Sequence, residues 1–348
     1  IMAVLPGQLG IGLFSPRLDA CGNSVRGVEA CRELSRNFRM HMYHSSRQGR
    51  SVVRRVCNGL AASSQRQREA GEQALLARHA QQIVLMELQG DLVFSSAEVV
   101  VRRAIAEAGA ADFVVLDFSR AHAADVPSIR LLTELLRELL KAGKRVVLSG
   151  VGQLPMLPRV LQREFKTEER KHMEVKPDSD HALEWCENTL IARYSKRWRS
   201  GRRVRLEACE LLQGLGAAEL RRLRGEAKAH AYPMGQIIIQ AGDPSEELYF
   251  LVRGQASVWI RANPQTDRRV ATFTPGMSFG EMALLDRAPR SAQVRADTEV
   301  ECYTVPLDRL EALAAEFPAI ESTLLRNLSK LLAQRLRKAN QEIGTLNQ

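Results

Sequence analysis

Residues 83–151 alternate apolar strand-type runs with amphipathic helix-type runs, whereas residues 229–305 hold only short strands cut by turn residues. No single layer arrangement satisfies both patterns, so the chain must divide. In the first region IVLMELQG, FVVLDFS and KRVVLSGV read as strands, with AEVVVRRAIAEA and IRLLTELLRELLKAG as the helices between them. That order predicts an α/β layer with helices packed on a sheet. Gly143 stands where a helix-ending C′ glycine belongs. In the second region the turn signals Pro233-Met234-Gly235, Gly242-Asp243-Pro244, Arg253-Gly254 and Thr274-Pro275-Gly276 separate the strands, as in a small β-barrel or jelly roll. A length of 348 residues suits two or three domains of about 100–150 residues each. The predicted class is multidomain α+β.

The flanks follow other rules. IMAVL and LGIGLF, joined by Pro6-Gly7, give a hairpin signal, and a helix is expected from the N-cap pair Asn23-Ser24, with Val28, Cys31, Leu34 and Phe38 at helical spacing. Two strands and one helix cannot close a core alone, so they must pack on something outside this sequence or on the later domains. The predicted boundaries are 1–45 for this segment, 46–80 for a basic linker, 81–178 for the α/β domain, 179–205 for a connecting helix and linker around HALEWCENTLIARY, and 206–348 for the barrel with its helices. After Pro306 the chain turns helical, with Leu324, Leu328, Leu331, Leu332, Leu336 and Ile343 in a stripe. That stripe fits a core-packing helix, or a lid or dimer helix. It leaves a strict heptad near Arg335, which argues against a long coiled coil but leaves homo-oligomerisation open.

Composition excludes several classes. Hydrophobic residues make 45% and charged residues 26%, and no apolar run approaches the roughly 20 residues of a membrane helix. The expected protein is soluble and cytoplasmic, with no membrane partner. The apolar start has no Lys or Arg ahead of it and is interrupted by Pro6, against a signal peptide. It begins on Ile1, inside an expected strand, as a fragment would. The net charge of +10 is weighted to the front, where residues 1–80 hold 12 Arg against 5 Asp and Glu. With few aromatics nearby to stack bases, a solvated linker face is expected there rather than nucleic acid. Cysteines 21, 31, 57, 186, 209 and 302 show no C-x-x-C spacing and read as reduced thiols. His41 and His44 lack a third ligand at metal spacing, so no metal is expected. Neither a G-x-x-x-x-G-K-[ST] loop nor a G-x-S-x-G elbow is present.

SFGEMALLDRAPRSAQV, residues 278–294, carries the clearest chemistry. A glycine that frees the backbone, a short helical turn and an arginine from the next strand make an anion site. Glu281 would repel a bare phosphate and so asks for a ligand whose hydroxyl can donate to it. A ribose phosphate meets both demands. Phe279-Gly280-Glu281-Met282-Ala283-Leu284-Leu285 followed by Arg290-Ser291-Ala292 resembles the phosphate-binding cassette of the cyclic-nucleotide-binding domain, over about residues 206–345. The resemblance implies that Arg290 and Ser291 hold the cyclic phosphate. It likewise implies that Glu281 accepts the ribose hydroxyl and that the N–H groups of Gly280, Ala283 and Leu284 line the pocket. The ligand it implies is a cyclic nucleotide, cyclic AMP favoured over cyclic GMP, with no further cofactor. Only 58 residues follow Arg290, too few for a helix-turn-helix domain beyond the closing strand and helices, so sequence-specific DNA binding is not expected.

VVLDFSRAHAADVPSIRLL resembles the strand-to-helix turn of the STAS domain, over roughly residues 81–175. Phosphorylatable members carry D-S-S-G there, where this chain has Asp125-Val126-Pro127-Ser128. Asp125 is expected as a helix cap, and the domain as a docking module for a protein partner.

SPRLDACGNSVRG, Ser15 to Gly27, resembles the last strands and final helix of the serine-dependent, β-lactamase-like glutaminases, over about residues 1–45. Such enzymes hydrolyse glutamine to glutamate and ammonia and need a serine with a lysine three residues on. No lysine here has a serine at that spacing, so no catalytic residue is assigned and the chain alone is expected to be inactive. The resemblances together imply the C-terminal regulatory portion of a glutaminase, partnered by its missing catalytic domain. The alternative is a free-standing cyclic-nucleotide sensor and scaffold acting through its STAS face.

Overall fold

The computed structural model describes residues 1–5, 9–38, 52–195, 203–263 and 266–346. The chain divides into two units, Ile1–Ser64 with Leu76–Leu190, and Gln65–Leu75 with Ile191–Gln348.

At the front, β1 (Met2–Leu5) and β2 (Leu9–Gly12) pair antiparallel, Met2 opposite Gly12, and the turn expected at Pro6-Gly7 lies outside the described residues. The string that follows is held by its own side chains. Asp19 Oδ1 accepts from the N–H groups of Cys21 (2.9 Å) and Asn23 (2.8 Å), and Ser24 Oγ accepts from Gly27 N–H (3.1 Å) to cap α1 (Val25–Phe38). Met2, Val4, Phe14 and Leu18 remain exposed, Phe14 at 94%.

The rest of the first unit is a five-stranded sheet in the order β3-β4-β5-β6-β7. Its strands are β3 (Val53–Asn58), β4 (Ile83–Leu92), β5 (Phe113–Ala124), β6 (Arg145–Ser149) and β7 (Met173–Lys176); β3 runs antiparallel to β4 and the remaining pairs are parallel. Between β3 and β4 lies α2 (Ala70–His79). On one face Met86, Leu88, Val114, Leu116, Val146 and Leu148 pack on α3 (Phe94–Glu107) and α4 (Val126–Lys141). Short helices α5 (Met156–Glu164) and α6 (Thr167–Arg170) connect β6 to β7. The alternate positions Ile83, Leu85, Phe113, Val115 and Val147 pack on Ala182, Leu183, Cys186 and Leu190 of α7 (Ser179–Tyr194). Both faces are covered, which is why Phe113–Leu116 is a continuous apolar run.

Two boundaries differ from the sequence reading. The basic linker expected over 46–80 contains β3, whose arginines hide a strand pattern as charges on edge strands often do; Arg54 pairs with Glu87 across the ladder. The connecting helix expected within 179–205 is the layer that covers the second face of the sheet.

In the second unit α8 (Ala217–Glu226) precedes two antiparallel sheets. One is β13 (Ser278–Phe279), β10 (Glu247–Arg253), β15 (Val300–Pro306) and β8 (Lys228–Tyr232); the other is β12 (Thr266–Phe273), β11 (Ala256–Asn263), β14 (Gln293–Ala296) and β9 (Ile237–Ile239), each in that order. Strand alternation divides β10 between two cores. Tyr249 and Leu251 face Phe273, Phe279, Val294 and Cys302 between the sheets, while Leu248 and Phe250 face Leu206, Leu212 and the helices α9 (Leu307–Glu316) and α10 (Pro318–Leu346). The stripe on α10 divides likewise. Ile320, Leu324 and Leu328 are buried, Leu336 is 63% exposed, and the Ile343 side chain is not among those described.

All six cysteines are free thiols. Burial pushes Cys209 and Cys302 up to about 12 and raises Cys186 as well, which keeps these three protonated and unreactive. Among the described residues no helix is long and apolar enough to cross a membrane.

Candidate functional site

The site grows from the edge of the β10 sheet. Pairing of Phe279 with Tyr249 brings the chain to Gly280, whose φ of 75° only glycine adopts without strain. A Cβ at that position would meet an Arg290 guanidinium nitrogen at 2.6 Å and the Glu247 carbonyl at 3.2 Å. The glycine therefore serves two ends, a left-handed backbone and room for an arginine. After one turn of 3-10 helix (Glu281–Leu284), the loop returns to Gly242-Asp243, where Arg290 N–H donates to the Asp243 carbonyl (2.9 Å) and Gly242 N–H to the Arg290 carbonyl (2.8 Å). With its backbone fixed, Arg290 donates from its side chain to the carbonyls of Glu247 (2.6 Å) and Gly280 (3.1 Å), and its guanidinium lies 5.8 Å from the Tyr249 ring centre.

These residues border a cavity of about 500 Å³, within the range of small-molecule sites. Of the sequence-predicted residues, Gly280, Glu281, Ala283, Arg290 and Ser291 line it. Leu284 does not. It lines a separate hollow of about 340 Å³ with Leu307, Leu310 and Leu324, because the short helix turns its side chain toward α9 and α10. The Ala283 N–H, expected to face a ligand, makes a long 3.4 Å contact with the Gly280 carbonyl.

Glu281 is 3% exposed, and its carboxylate is held by Arg335 of α10. Arg335 also lines the cavity, and its guanidinium lies 5.6 Å from the Phe273 ring centre. Its Nε and one terminal nitrogen are buried without a hydrogen-bond partner. Burial pushes the neighbouring Glu210 carboxyl up to about 7, opposed by the charge of Arg335 and a backbone hydrogen bond at Ser278, and reinforced by the charges of Glu281 and Glu69. The cassette is thus wired to the C-terminal helix through one buried ion pair. Sequence reasoning missed Arg335; the signal available was the break of the leucine stripe at that residue.

The other candidate residues do not open on this cavity. Asp125 caps α4, its Oδ1 accepting from Ser128 N–H at 2.8 Å, and Ser128 Oγ donates to the Asp125 carbonyl at 2.8 Å. Asp178, Asp180 and His181 gather at the start of α7, where Asp178 Oδ1 accepts from His181 N–H (2.8 Å) as a helix cap. His41 and His44 lie outside the described residues.

Comparison with known proteins matches three families along the chain. The family described as cyclic nucleotide-binding domain matches residues 229–317, that described as STAS domain matches residues 74–163, and that described as glutaminase matches residues 1–43. The sequence is 36% identical over 346 residues to Glutaminase 1 of Bradyrhizobium diazoefficiens, covering 99% of this chain and 55% of that protein. With Glutaminase 2 of the same organism it shares 34% over 347 residues, covering 100% of this chain and 54% of that protein. With the Cyclic AMP receptor protein of Thermus thermophilus it shares 30% over 142 residues, 41% of this chain and 64% of that protein. The chain spans about half the length of the two glutaminases.

Proposed function

This is a glutaminase-related chain that carries a STAS domain and a cyclic nucleotide-binding domain after its glutaminase segment, and from that premise we propose that it is the regulatory part of a cytoplasmic glutaminase controlled by a cyclic nucleotide. The parent reaction is hydrolysis of glutamine to glutamate and ammonia, with the serine nucleophile and its lysine supplied outside this sequence. The exposed Met2, Val4, Phe14 and Leu18 on the front hairpin and its following turn support this reading, since a catalytic domain would cover them. The STAS domain is the docking module for a protein partner.

In the cavity, Arg290 and Ser291 hold the cyclic phosphate and Glu281 accepts the ribose hydroxyl, with Gly280 and Ala283 forming the wall. Similarity to the Thermus Cyclic AMP receptor protein favours cyclic AMP over cyclic GMP. The observation that carries the reading is the Glu281–Arg335 pair. A ribose hydroxyl arriving at Glu281 competes with Arg335 for one carboxylate, so occupancy changes how α10 is held. A ligand shifts such an equilibrium only by its different affinity for the two states.

The test is calorimetric titration with cyclic AMP and cyclic GMP, with Arg290→Ala as control. Charge-assisted bonds contribute about 1.5–3 kcal/mol each, so losing the two that a phosphate would take weakens binding at least ~100-fold. No heat and no thermal stabilisation with either nucleotide would overturn the sensor and leave the scaffold reading in its place.

A further inference from the structure

The tetrad Gln65-Arg66-Gln67-Arg68 belongs by sequence to a linker ahead of the STAS domain, yet it lies in the second unit, against the barrel. It runs parallel to β12, an edge strand of its sheet. Arg66 bridges Thr272, Gln67 N–H donates to the Thr272 carbonyl (3.1 Å), and Thr272 N–H donates to the Gln65 carbonyl (3.3 Å). Side chains alternate along an extended segment, so the two arginines share one face and the two glutamines the other. Arg66 and Arg68 are the anchors, 7% and 8% exposed, and the Arg66 guanidinium lies 2.9 and 3.3 Å from the Gln255 side-chain amide. Gln65 and Gln67 line the same cavity as Glu281, Arg290 and Arg335.

Covering the free edge of β12 would by itself explain the backbone pairing. It does not explain the glutamines. A segment that only closed an edge could place apolar residues against Val258, Val270 and Phe273, which also line the cavity. A carboxamide instead presents an N–H donor and a carbonyl acceptor side by side, the pattern that pairs with the edge of a purine such as adenine N6 and N7. The matched cyclic nucleotide-binding domain begins at residue 229, so these side chains reach the cavity from outside it.

We infer that residues 65–68 are a ligand-contacting strap of the nucleotide site, in which Gln67, with Gln65, reads the purine base. The inference rests on the cyclic-nucleotide reading of the cavity. The strap is continuous with Ser64, whose N–H and Oγ donate to Glu187 (2.7 and 2.6 Å) within the first unit, so tightening of the strap acts on a fixed point of the chain.

Two measurements on the 348-residue chain test it. Equilibrium binding of cyclic AMP and cyclic GMP is compared for the unmodified chain, Gln67→Ala, the double variant Gln65→Ala with Gln67→Ala, and Arg290→Ala. The glutamine variants are expected to weaken the preferred nucleotide about tenfold and to narrow the ratio between the two nucleotides, whereas Arg290→Ala weakens both. Hydrogen exchange on the unmodified chain needs no variant to fold, and the Gln67 amide is expected to exchange more slowly with nucleotide bound. Unchanged affinity and ratio in the glutamine variants, with unchanged exchange at 65–68, would overturn the strap while loss of binding in Arg290→Ala left the sensor standing. No binding of either nucleotide by the unmodified chain would remove both.

Discussion

Two strand-to-helix turns hold this chain's most reactive-looking side chains, Asp125 to Ser128 after β5 and Gly280 to Ser291 after β13. In the first, the polar groups turn inward on one another. Asp125 caps the helix, and Ser128 is fully buried and bonded back to the Asp125 carbonyl. In the second, Arg290 is steadied by two carbonyls and Glu281 by Arg335, and all three side chains border a cavity of about 500 Å³. Carboxylates, hydroxyls and helix starts occur in both. What separates a cap from a site is whether the network leaves a space for another molecule.

The comparison breaks most visibly if the first turn accepts a charge. Ser128→Asp puts a carboxylate where the serine has no solvent exposure and where Asp125 is already close. An unpaired buried charge of this kind costs about 3 kcal/mol or more. The expected result is a large loss of stability in the first unit by chemical denaturation, with cyclic AMP affinity unchanged for the protein that remains folded. A tolerated charge would mean that this turn opens and serves as a switch after all.

Gly280→Ala tests the other turn. A residue with a Cβ held in the left-handed region costs about 1–2 kcal/mol, and here the methyl group also pushes the Arg290 guanidinium off its two carbonyls. Barrel stability should fall by that amount, and nucleotide affinity should fall more than tenfold because the phosphate ligand has moved. Loss of stability without loss of affinity would detach the cassette glycine from the site and reduce it to a turn residue.

How much of this could be read beforehand depends on whether the signal was local. The Gly280-to-Ser291 cassette is written in adjacent residues, as are the alternation of 83–151, the Ser24 cap and the Asp125 cap, which the structure has where the sequence puts them. The β3 strand was hidden because Arg54 and Arg55 make an edge strand resemble a basic linker. The side-chain direction of Leu284 depends on a turn too short to show periodicity. Arg335 and the 65–68 strap were least legible, since each meets its partner far along the chain, Glu281 for one and Thr272 for the other. Their identities carry no pattern until the barrel places those partners.

Glu210 gives the smallest effect and the sharpest contrast of environment. Its carboxyl lies above its ordinary 4.5, at about 7, chiefly because it is buried, with one oxygen lacking a hydrogen-bond partner. Between about pH 4.5 and about 7 the folded barrel therefore holds a proton that the unfolded chain has released. That contribution is complete below about 4.5 and is lost as pH rises through about 7, so the second unit should melt lower at pH 8 than at pH 6.5 by about 2–3 °C from this group. Glu210→Gln stays uncharged throughout and should remove that part of the pH dependence. Occupancy of Glu281 by a ribose hydroxyl would free Arg335 to face Glu210 alone, favouring its ionised form, so cyclic AMP binding above pH 6 should release protons in the unmodified chain and fewer in Glu210→Gln. Calorimetry in buffers of different ionisation enthalpy reads that number directly, and equal proton release by the two chains would show that Arg335 does not pass from one glutamate to the other.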